Sequence, residues 1–188
     1  GRFKTQIERY VRPIGESLRR TGLSPDHFTV LGLCVAAASA VAIGAGKMQL
    51  GLLLVICSAL PDLLDGALAK ASNSASQRGA FFDSVVDRVS DSFLFGGVAW
   101  FYASSDTPQF SIVPFAILGA SLIISYERAK AESLGLYAKG GLMERAERII
   151  LLCFGLLFDS LLKWVMVVML ILVVMTAVQR FVKVWKQA

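Results

Sequence analysis

Long apolar stretches alternate with short polar segments along most of this 188-residue chain. A transmembrane helix needs about 20 mostly apolar residues, and six segments approach or reach that length. The predicted spans are residues 28–46, 50–71, 80–103, 111–134, 145–158 and 161–184. The fifth is short and carries charges at its start. We therefore predict an all-α, polytopic membrane protein, a single domain over residues 1–188 with a six-helix bundle at 26–186.

The composition supports a chain that is solvated by lipid. Hydrophobic residues make up 55% of it, charged residues 18%, and the mean hydropathy is +0.62. Soluble domains contain about a quarter charged residues, and a body this small buries too little surface to hide so apolar a composition. Disordered, collagenous and disulfide-framed chains are excluded.

The distribution of the basic residues predicts how the chain is oriented in the membrane. Of the 19 Lys and Arg residues, most lie near the two termini or in the segments between spans two and three and spans four and five. The opposite side of the predicted bundle carries only Lys47 and Lys163. By the positive-inside rule, the basic side is cytoplasmic. We expect a multi-pass plasma-membrane protein with cytoplasmic termini and active site, and no nucleic-acid partner.

The segment before the first span has an amphipathic pattern. Its apolar residues recur at helical spacing: Phe3, Ile7, Tyr10, Val11, Ile14 and Leu18. This pattern predicts a juxtamembrane helix over residues 1–22 that lies at the membrane interface. A plain connecting helix is the alternative.

Four carboxylates fall in or against spans two and three: Asp62, Asp65, Asp83 and Asp87. Each costs about 2.5–3.5 kcal/mol at the centre of a bilayer, so they need a wet cavity, a cation or a metal. Their i,i+3 and i,i+4 spacings place each pair on one helix face. Oxygen ligands suit Mg²⁺, Mn²⁺ or Ca²⁺, and four carboxylates can bridge two ions. The alternative is ion pairing with Lys70, Arg78 or Arg88.

Small residues accompany the carboxylates. Gly66, Ala69 and Gly79 would allow a bulky ligand to approach the backbone closely. Close helix packing is the alternative explanation of the same residues.

The stretch from Asp62 to Asp87 reads D-x2-D-G-x2-A-K-x8-G-x3-D-x3-D. It closely resembles the signature of the CDP-alcohol phosphotransferase family, and every spacing agrees. One position differs, because Lys70 stands where the family has Arg. Lysine keeps the charge and loses the bidentate fork.

The resemblance extends beyond this motif. Residues 23–29 look like the family's segment entering the first span. Residues 125–132, Gly140-Gly141 and residues 144–148 are similar to the actinobacterial phosphatidylinositol-phosphate synthases of this family. The resemblance implies a homodimeric enzyme of phospholipid biosynthesis in the membrane. It would join CDP-diacylglycerol to inositol 1-phosphate and release CMP.

The resemblance also implies site residues. Two Mg²⁺ ions, with Mn²⁺ as an alternative, would be held by Asp62, Asp65, Asp83 and Asp87, and Asp87 would be the general base. The expected contacts to the CDP-lipid are Asp26, His27, Phe28, Thr29, Gly66, Ala69, Lys70, Ser76 and Gly79.

A phosphorylated acceptor needs cations beside the metals. The candidates are Arg128, Lys130, Arg148 and Arg180, with Ser125 as a hydrogen-bonding neighbour. The competing explanation is that these cations only obey the positive-inside rule. Glycerol 3-phosphate would suit the same pocket and is the alternative acceptor. An ion channel or transporter with an acidic pathway is the alternative of a different class.

Overall fold

The computed structural model describes residues 25–59, 77–138 and 140–187. Their helices are α1 (Pro25–Gly44), α2 (Met48–Ala59), α3 (Gln77–Ala103), α4 (Ile112–Ser133), α5 (Arg145–Leu157) and α6 (Leu162–Trp185). Short 3₁₀ turns, Pro108–Ser111 and Asp159–Leu161, precede α4 and α6. The described residues contain no strand, which confirms the all-α class. The predicted interfacial helix at 1–22 and the first half of the acidic motif lie outside them.

The surface is apolar on nearly every helix. Trp100, Phe115, Ile150 and Trp164 are each at least half exposed. Charged groups such as the Arg148 guanidinium are buried instead. A soluble protein rarely shows large apolar patches outside and buried charges inside. Two segments, Pro108–Ser133 and Asp159–Trp185, are long and apolar enough to cross a membrane.

Small residues let α1 pack closely on α2 and α3. A side chain at Gly97 of α3 would place its Cβ 2.6 Å from the carbonyl oxygen of Ala40 in α1. At Gly51 of α2, a Cβ would lie 2.5 Å from Ile43. The Ser39 hydroxyl donates a hydrogen bond of 3.0 Å to the Gly51 carbonyl. Such contacts are typical of helices that associate in lipid, where close approach replaces the hydrophobic effect.

Buried side chains from α3, α4, α5 and α6 form the centre of the bundle. Phe95, Ile117, Leu152 and Met166 are fully buried in this cluster. The tight turn between α5 and α6 depends on Gly155, where a Cβ would meet Leu162 at 2.8 Å. This core fixes the rotation of α3 relative to α5, and that rotation determines which polar residues meet.

Hydrogen bonds close to the helix termini connect the chain at the two ends of the bundle. At one end, the Gln49 amide donates a 3.3 Å hydrogen bond to the Leu157 carbonyl. At the other end, Gln187 accepts a 2.9 Å hydrogen bond from the backbone N–H of Tyr137. The first turns of α3 and α5 share this second end, which is the one predicted to be cytoplasmic.

Candidate functional site

Three aspartates lie one turn apart along α3. Asp83 is exposed, Asp87 is partly buried, and Asp91 is buried. The i,i+4 spacing puts them on one face of the helix. The carboxylates therefore run from the open end of the bundle into its interior, and the deeper ones need compensating cations.

Two arginines of α5 supply that compensation. Arg145 Nη1 lies 2.9 Å from Asp87 Oδ1, and Arg145 Nε lies 3.5 Å from Asp91 Oδ1. Arg148 Nη2 donates a 2.7 Å hydrogen bond to Asp91 Oδ2. Because 145 and 148 are three apart, both side chains project from the same face of α5 toward α3. Asp87 has a further, longer contact of 3.6 Å with Arg88.

A cavity opens beside Asp87 where α1, α2, α3 and α5 meet. Apolar and small residues form most of its wall, and Asp87 and Arg145 supply its charges. Its lining consists of Thr29, Gly32, Leu33, Ser58, Ala59, Val86, Asp87, Ser90, Leu94, Arg145 and Ile149. The cavity therefore places the carboxylate of Asp87 and the guanidinium of Arg145 beside an apolar wall.

The predicted metal ligands are only half described. Asp83 and Asp87 share a face of α3, and both lie at the open end of the bundle. Asp62 and Asp65 lie outside the described residues, so no group of three or more ligating side chains occurs within the described part. Carboxylate oxygens are the donors that Mg²⁺ and Mn²⁺ prefer. The donor chemistry of Asp83 and Asp87 therefore fits the implied ions.

Only some of the residues predicted to contact the CDP-lipid lie in the described part of the structure. Thr29 lines the cavity beside Asp87, and Gly79 lies in the first turn of α3. The side chains of Asp26, His27 and Phe28, in the first turn of α1, lie outside the described part. So do the remaining predicted contacts, which are Gly66, Ala69, Lys70 and Ser76.

Arg180 anchors a second, basic region at the same end. Its side chain is 3% exposed. Nη1 donates to the Ile124 carbonyl at 3.0 Å, and Nη2 donates to the Gly140 carbonyl at 3.0 Å and to Glu144 Oε1 at 3.3 Å. Arg180 thus ties α6 to α4 and to the loop before α5.

The other predicted acceptor residues occupy different positions. Arg128 and Arg148 lie close enough to Arg180 to interact with it electrostatically. Arg128 pairs with Glu132 at 3.0 Å on the exposed side of α4, whereas Arg148 is buried against Asp91. The Ser125 hydroxyl donates to the Ser121 carbonyl at 3.0 Å. Lys130 is exposed in the last turn of α4.

The loop between α4 and α5 is held against α6. Thr176 Oγ1 accepts a 3.0 Å hydrogen bond from the backbone N–H of Met143. A Cβ at Gly141 would lie 2.5 Å from the Thr176 methyl group, and Gly140 has a φ of 92°. Glycine is therefore required at both positions, since Gly140 is left-handed and Gly141 has no space for a side chain.

A family model described as CDP-alcohol phosphatidyltransferase matches residues 23–179, which is most of the chain. This chain belongs to the CDP-alcohol phosphatidyltransferase family. It is therefore a transferase of phospholipid biosynthesis, as the motif from Asp62 to Asp87 predicted.

Several relatives within the family are about one third identical to this chain. The phosphatidylinositol phosphate synthase of Mycobacterium marinum is 36% identical over 154 residues, which are 81% of this chain and 66% of the relative. This chain thus spans about two thirds of that relative's length. The archaetidylinositol phosphate synthase of Methanothermobacter thermautotrophicus is 34% identical over 190 residues, 98% of this chain and 93% of the relative.

Solved structures agree with these sequence relatives. A Mycobacterium tuberculosis phosphatidylinositol phosphate synthase with CDP-DAG bound has a TM-score of 0.86 and 35% identity, and the match covers 94% of each chain. The same enzyme in complex with manganese and citrate also has a TM-score of 0.86, at 34% identity, covering 93% of this chain and 88% of that one.

The sequence prediction assigned no role to three residues that the structure places at the site. Arg145 forms an ion pair with Asp87. Asp91 accepts a hydrogen bond from Arg148 and lies 3.5 Å from Arg145. Glu144 accepts a hydrogen bond from Arg180. One signal was present in the sequence, because 145 and 148 share a helical face and 91 continues the spacing of 83 and 87. Which carboxylate each arginine meets depends on how α3 and α5 pack.

Proposed function

We propose that this protein transfers the phosphatidyl group of CDP-diacylglycerol to inositol 1-phosphate, giving phosphatidylinositol phosphate and CMP. The supporting observation is the arrangement of charge at one end of the bundle. The carboxylate of Asp87 borders a cavity, and α5 connects it to the basic region around Arg180. A reaction that joins a pyrophosphate-activated lipid to a phosphorylated alcohol needs both kinds of site side by side.

The membrane arrangement is part of the same proposal. All six helices would span the bilayer, with the site at the cytoplasmic end and the apolar exterior in lipid. The lengths of α1, α3, α4 and α6, each 20 residues or more, and the exposed apolar side chains support this topology. A homodimer is proposed from the family resemblance.

The chain's own groups account for the chemistry. A hydroxyl oxygen of the acceptor bonds to the phosphorus next to diacylglycerol, while the bond from that phosphorus to the CMP oxygen breaks. Asp87 takes the hydroxyl proton, a role that needs a carboxylate within hydrogen-bond reach of the acceptor. Arg145, at 2.9 Å from Asp87 Oδ1, neutralises this carboxylate when no ion is bound.

Two divalent ions would be held by Asp62, Asp65, Asp83 and Asp87. When bound, such ions neutralise the charge that develops on the pyrophosphate and the leaving group. The residues at 26–29, with Gly66, Ala69, Lys70, Ser76 and Gly79, would hold the CDP-lipid. Thr29 lines the cavity beside Asp87, which supports this assignment.

The acceptor phosphate would bind the region around Arg180, with Arg128, Lys130, Arg148 and Ser125 as further contacts. Glu144 and Glu127 attract the charge of Arg180, and Arg128 and Arg148 repel it. Clustered cations attract an anion. Arg180 and Arg148 already engage protein carboxylates. Phosphate would therefore bind by sharing or displacing those partners.

The test is CMP release by the purified protein in detergent, supplied with CDP-diacylglycerol and Mg²⁺. Inositol 1-phosphate, free inositol and glycerol 3-phosphate are offered separately. We expect metal-dependent release with inositol 1-phosphate alone. Release with glycerol 3-phosphate instead would retain the chemistry and reject the acceptor. If a folded protein releases CMP with none of them, the proposed reaction is wrong.

Two variants test the general base and the acceptor-phosphate region separately. Asp87→Asn keeps the shape of the side chain and removes the base, so we expect kcat to fall about 100-fold or more. Arg180→Gln should raise the KM for inositol 1-phosphate and leave the KM for CDP-diacylglycerol unchanged. The matched control is Asp159→Asn at the opposite end of the bundle, where Asn retains the oxygen that accepts from Ser160.

A further inference from the structure

Only one of the two carboxylate oxygens of Asp91 has a hydrogen bond. Its carboxylate is 6% exposed, and Oδ2 receives a 2.7 Å hydrogen bond from Arg148, which is 4% exposed. Its other oxygen, Oδ1, is buried and has no hydrogen-bond partner. A buried carboxylate oxygen without a hydrogen bond is costly. Asp91 therefore offers a ready acceptor to any donor that moves closer.

Arg145 is the donor that stands beside this oxygen. Its Nε lies 3.5 Å from Asp91 Oδ1, and its Nη1 lies 2.9 Å from Asp87 Oδ1. Arg145 is 30% exposed and borders the cavity, so it has more freedom than the buried pair of Asp91 and Arg148. The Arg145 guanidinium thus lies between two carboxylates, within hydrogen-bond distance of Asp87 and farther from Asp91.

We propose that Arg145 is an exchangeable partner of Asp87, and that Asp91 is the positioning residue that receives it. Without a divalent ion, Arg145 neutralises Asp87. When the ion binds, Arg145 moves onto Asp91 Oδ1 and leaves the Asp87 oxygen to the ion. This inference rests on the proposed function, because it takes Asp87 as a ligand of the divalent ion.

The proposal predicts changes of opposite sign in Mn²⁺ affinity. Removing the competing cation in Arg145→Gln should tighten Mn²⁺ binding about twofold to fivefold, the range of a partly exposed ion pair. Removing the receiving carboxylate in Asp91→Asn should hold Arg145 on Asp87 and weaken Mn²⁺ binding by about the same factor. Titration of free Mn²⁺ by its paramagnetic resonance signal, in full-length protein in detergent, measures both.

The double variant separates exchange from simple electrostatics. If the two charges act only through their distance from the ion, their effects add, and Asp91→Asn/Arg145→Gln binds Mn²⁺ like the wild type. If Asp91 acts by receiving Arg145, its removal has no effect once Arg145 is gone. We therefore expect the double variant to bind Mn²⁺ as tightly as Arg145→Gln alone.

Controls and outcomes complete the test. Lys163→Gln and Asp159→Asn make the same charge changes at the opposite end of the bundle and should leave Mn²⁺ affinity unchanged. Unchanged or weaker binding in Arg145→Gln, or additive behaviour in the double variant, would overturn the proposal. Should Asp91→Asn not fold, unchanged or weaker Mn²⁺ binding in Arg145→Gln alone still refutes the proposal. No catalytic turnover is measured, so a wrong acceptor or reaction leaves the result interpretable. A wild type that does not bind Mn²⁺ refutes the exchange proposal, and the CMP-release assay tests the transfer reaction separately.

Discussion

The ion pair between α3 and α5 is buried, so the loss of either charge should strongly lower the free energy of unfolding. Arg148 and Asp91 are 4% and 6% exposed, and their nearest atoms are 2.7 Å apart. Removing one partner of such a pair costs about 3–5 kcal/mol, because the remaining charge stays buried. In Arg148→Gln, Asp91 would still have Arg145 at 3.5 Å. We therefore expect the lower end of that range, a loss of about 3 kcal/mol in the free energy of unfolding.

Thermal unfolding in detergent, followed by circular dichroism, measures this loss. For a chain of this length, 1 kcal/mol corresponds to about 2–4 °C, so Arg148→Gln should lower Tm by about 6–12 °C. The control is Glu132→Gln, which breaks an exposed i,i+4 pair with Arg128. That pair is worth about 0.3–0.5 kcal/mol, so its Tm should fall by no more than about 2 °C.

The double variant Asp91→Asn/Arg148→Gln tests the physical reason. It removes both charges and keeps two side chains that can hydrogen-bond, so we expect a smaller loss than in Arg148→Gln alone. A Tm for Arg148→Gln within about 2 °C of the wild type, or a double variant less stable than the single one, would refute the reasoning that an uncompensated buried charge causes the loss.

Further predictions concern packing and the loop before α5. Gly97→Ala should cost about 1–3 kcal/mol by overpacking, since its Cβ would lie 2.6 Å from the Ala40 carbonyl oxygen; Gly96→Ala, with nothing within 4 Å, should leave Tm unchanged, and equal effects would contradict the close contact. Thr176→Val removes the acceptor of the Met143 N–H and should cost about 1–3 kcal/mol. Thr176→Ser keeps that hydroxyl and should retain most of the stability; identical Tm values for the two variants would show that the hydrogen bond is dispensable.

Part of the site could be predicted from local spacing. The i,i+4 pair of Asp83 and Asp87 lies on one face of α3, as helical periodicity requires. Thr29, expected at the CDP-lipid site, borders the same cavity as Asp87. Lys130 lies exposed two positions beyond Arg128, so a cation in the right segment does not necessarily share the face of its neighbours. The metal-ligand assignments at Asp62, Asp65, Asp83 and Asp87 and the ligand contacts all remain predictions.

The helices, the class of protein and the family could all be predicted from the sequence. Apolar length and polar interruptions set helix bounds through local energetics, so α3 to α6 begin and end within a few residues of the predicted spans. The motif between Asp62 and Asp87 is also local, and the family match confirms what it indicated.

The compensation of the buried charges depends on how the helices pack. The pairing of Asp91 with Arg148, the position of Arg145 between two carboxylates, and the contact of Arg180 with Glu144 all join distant segments of the chain. Helical spacing says which residues share a face, but not toward which neighbour that face turns. Close contacts such as Gly97 on Ala40, together with the buried core, set those rotations. An ion pair is strong or weak according to the resulting distances and burial.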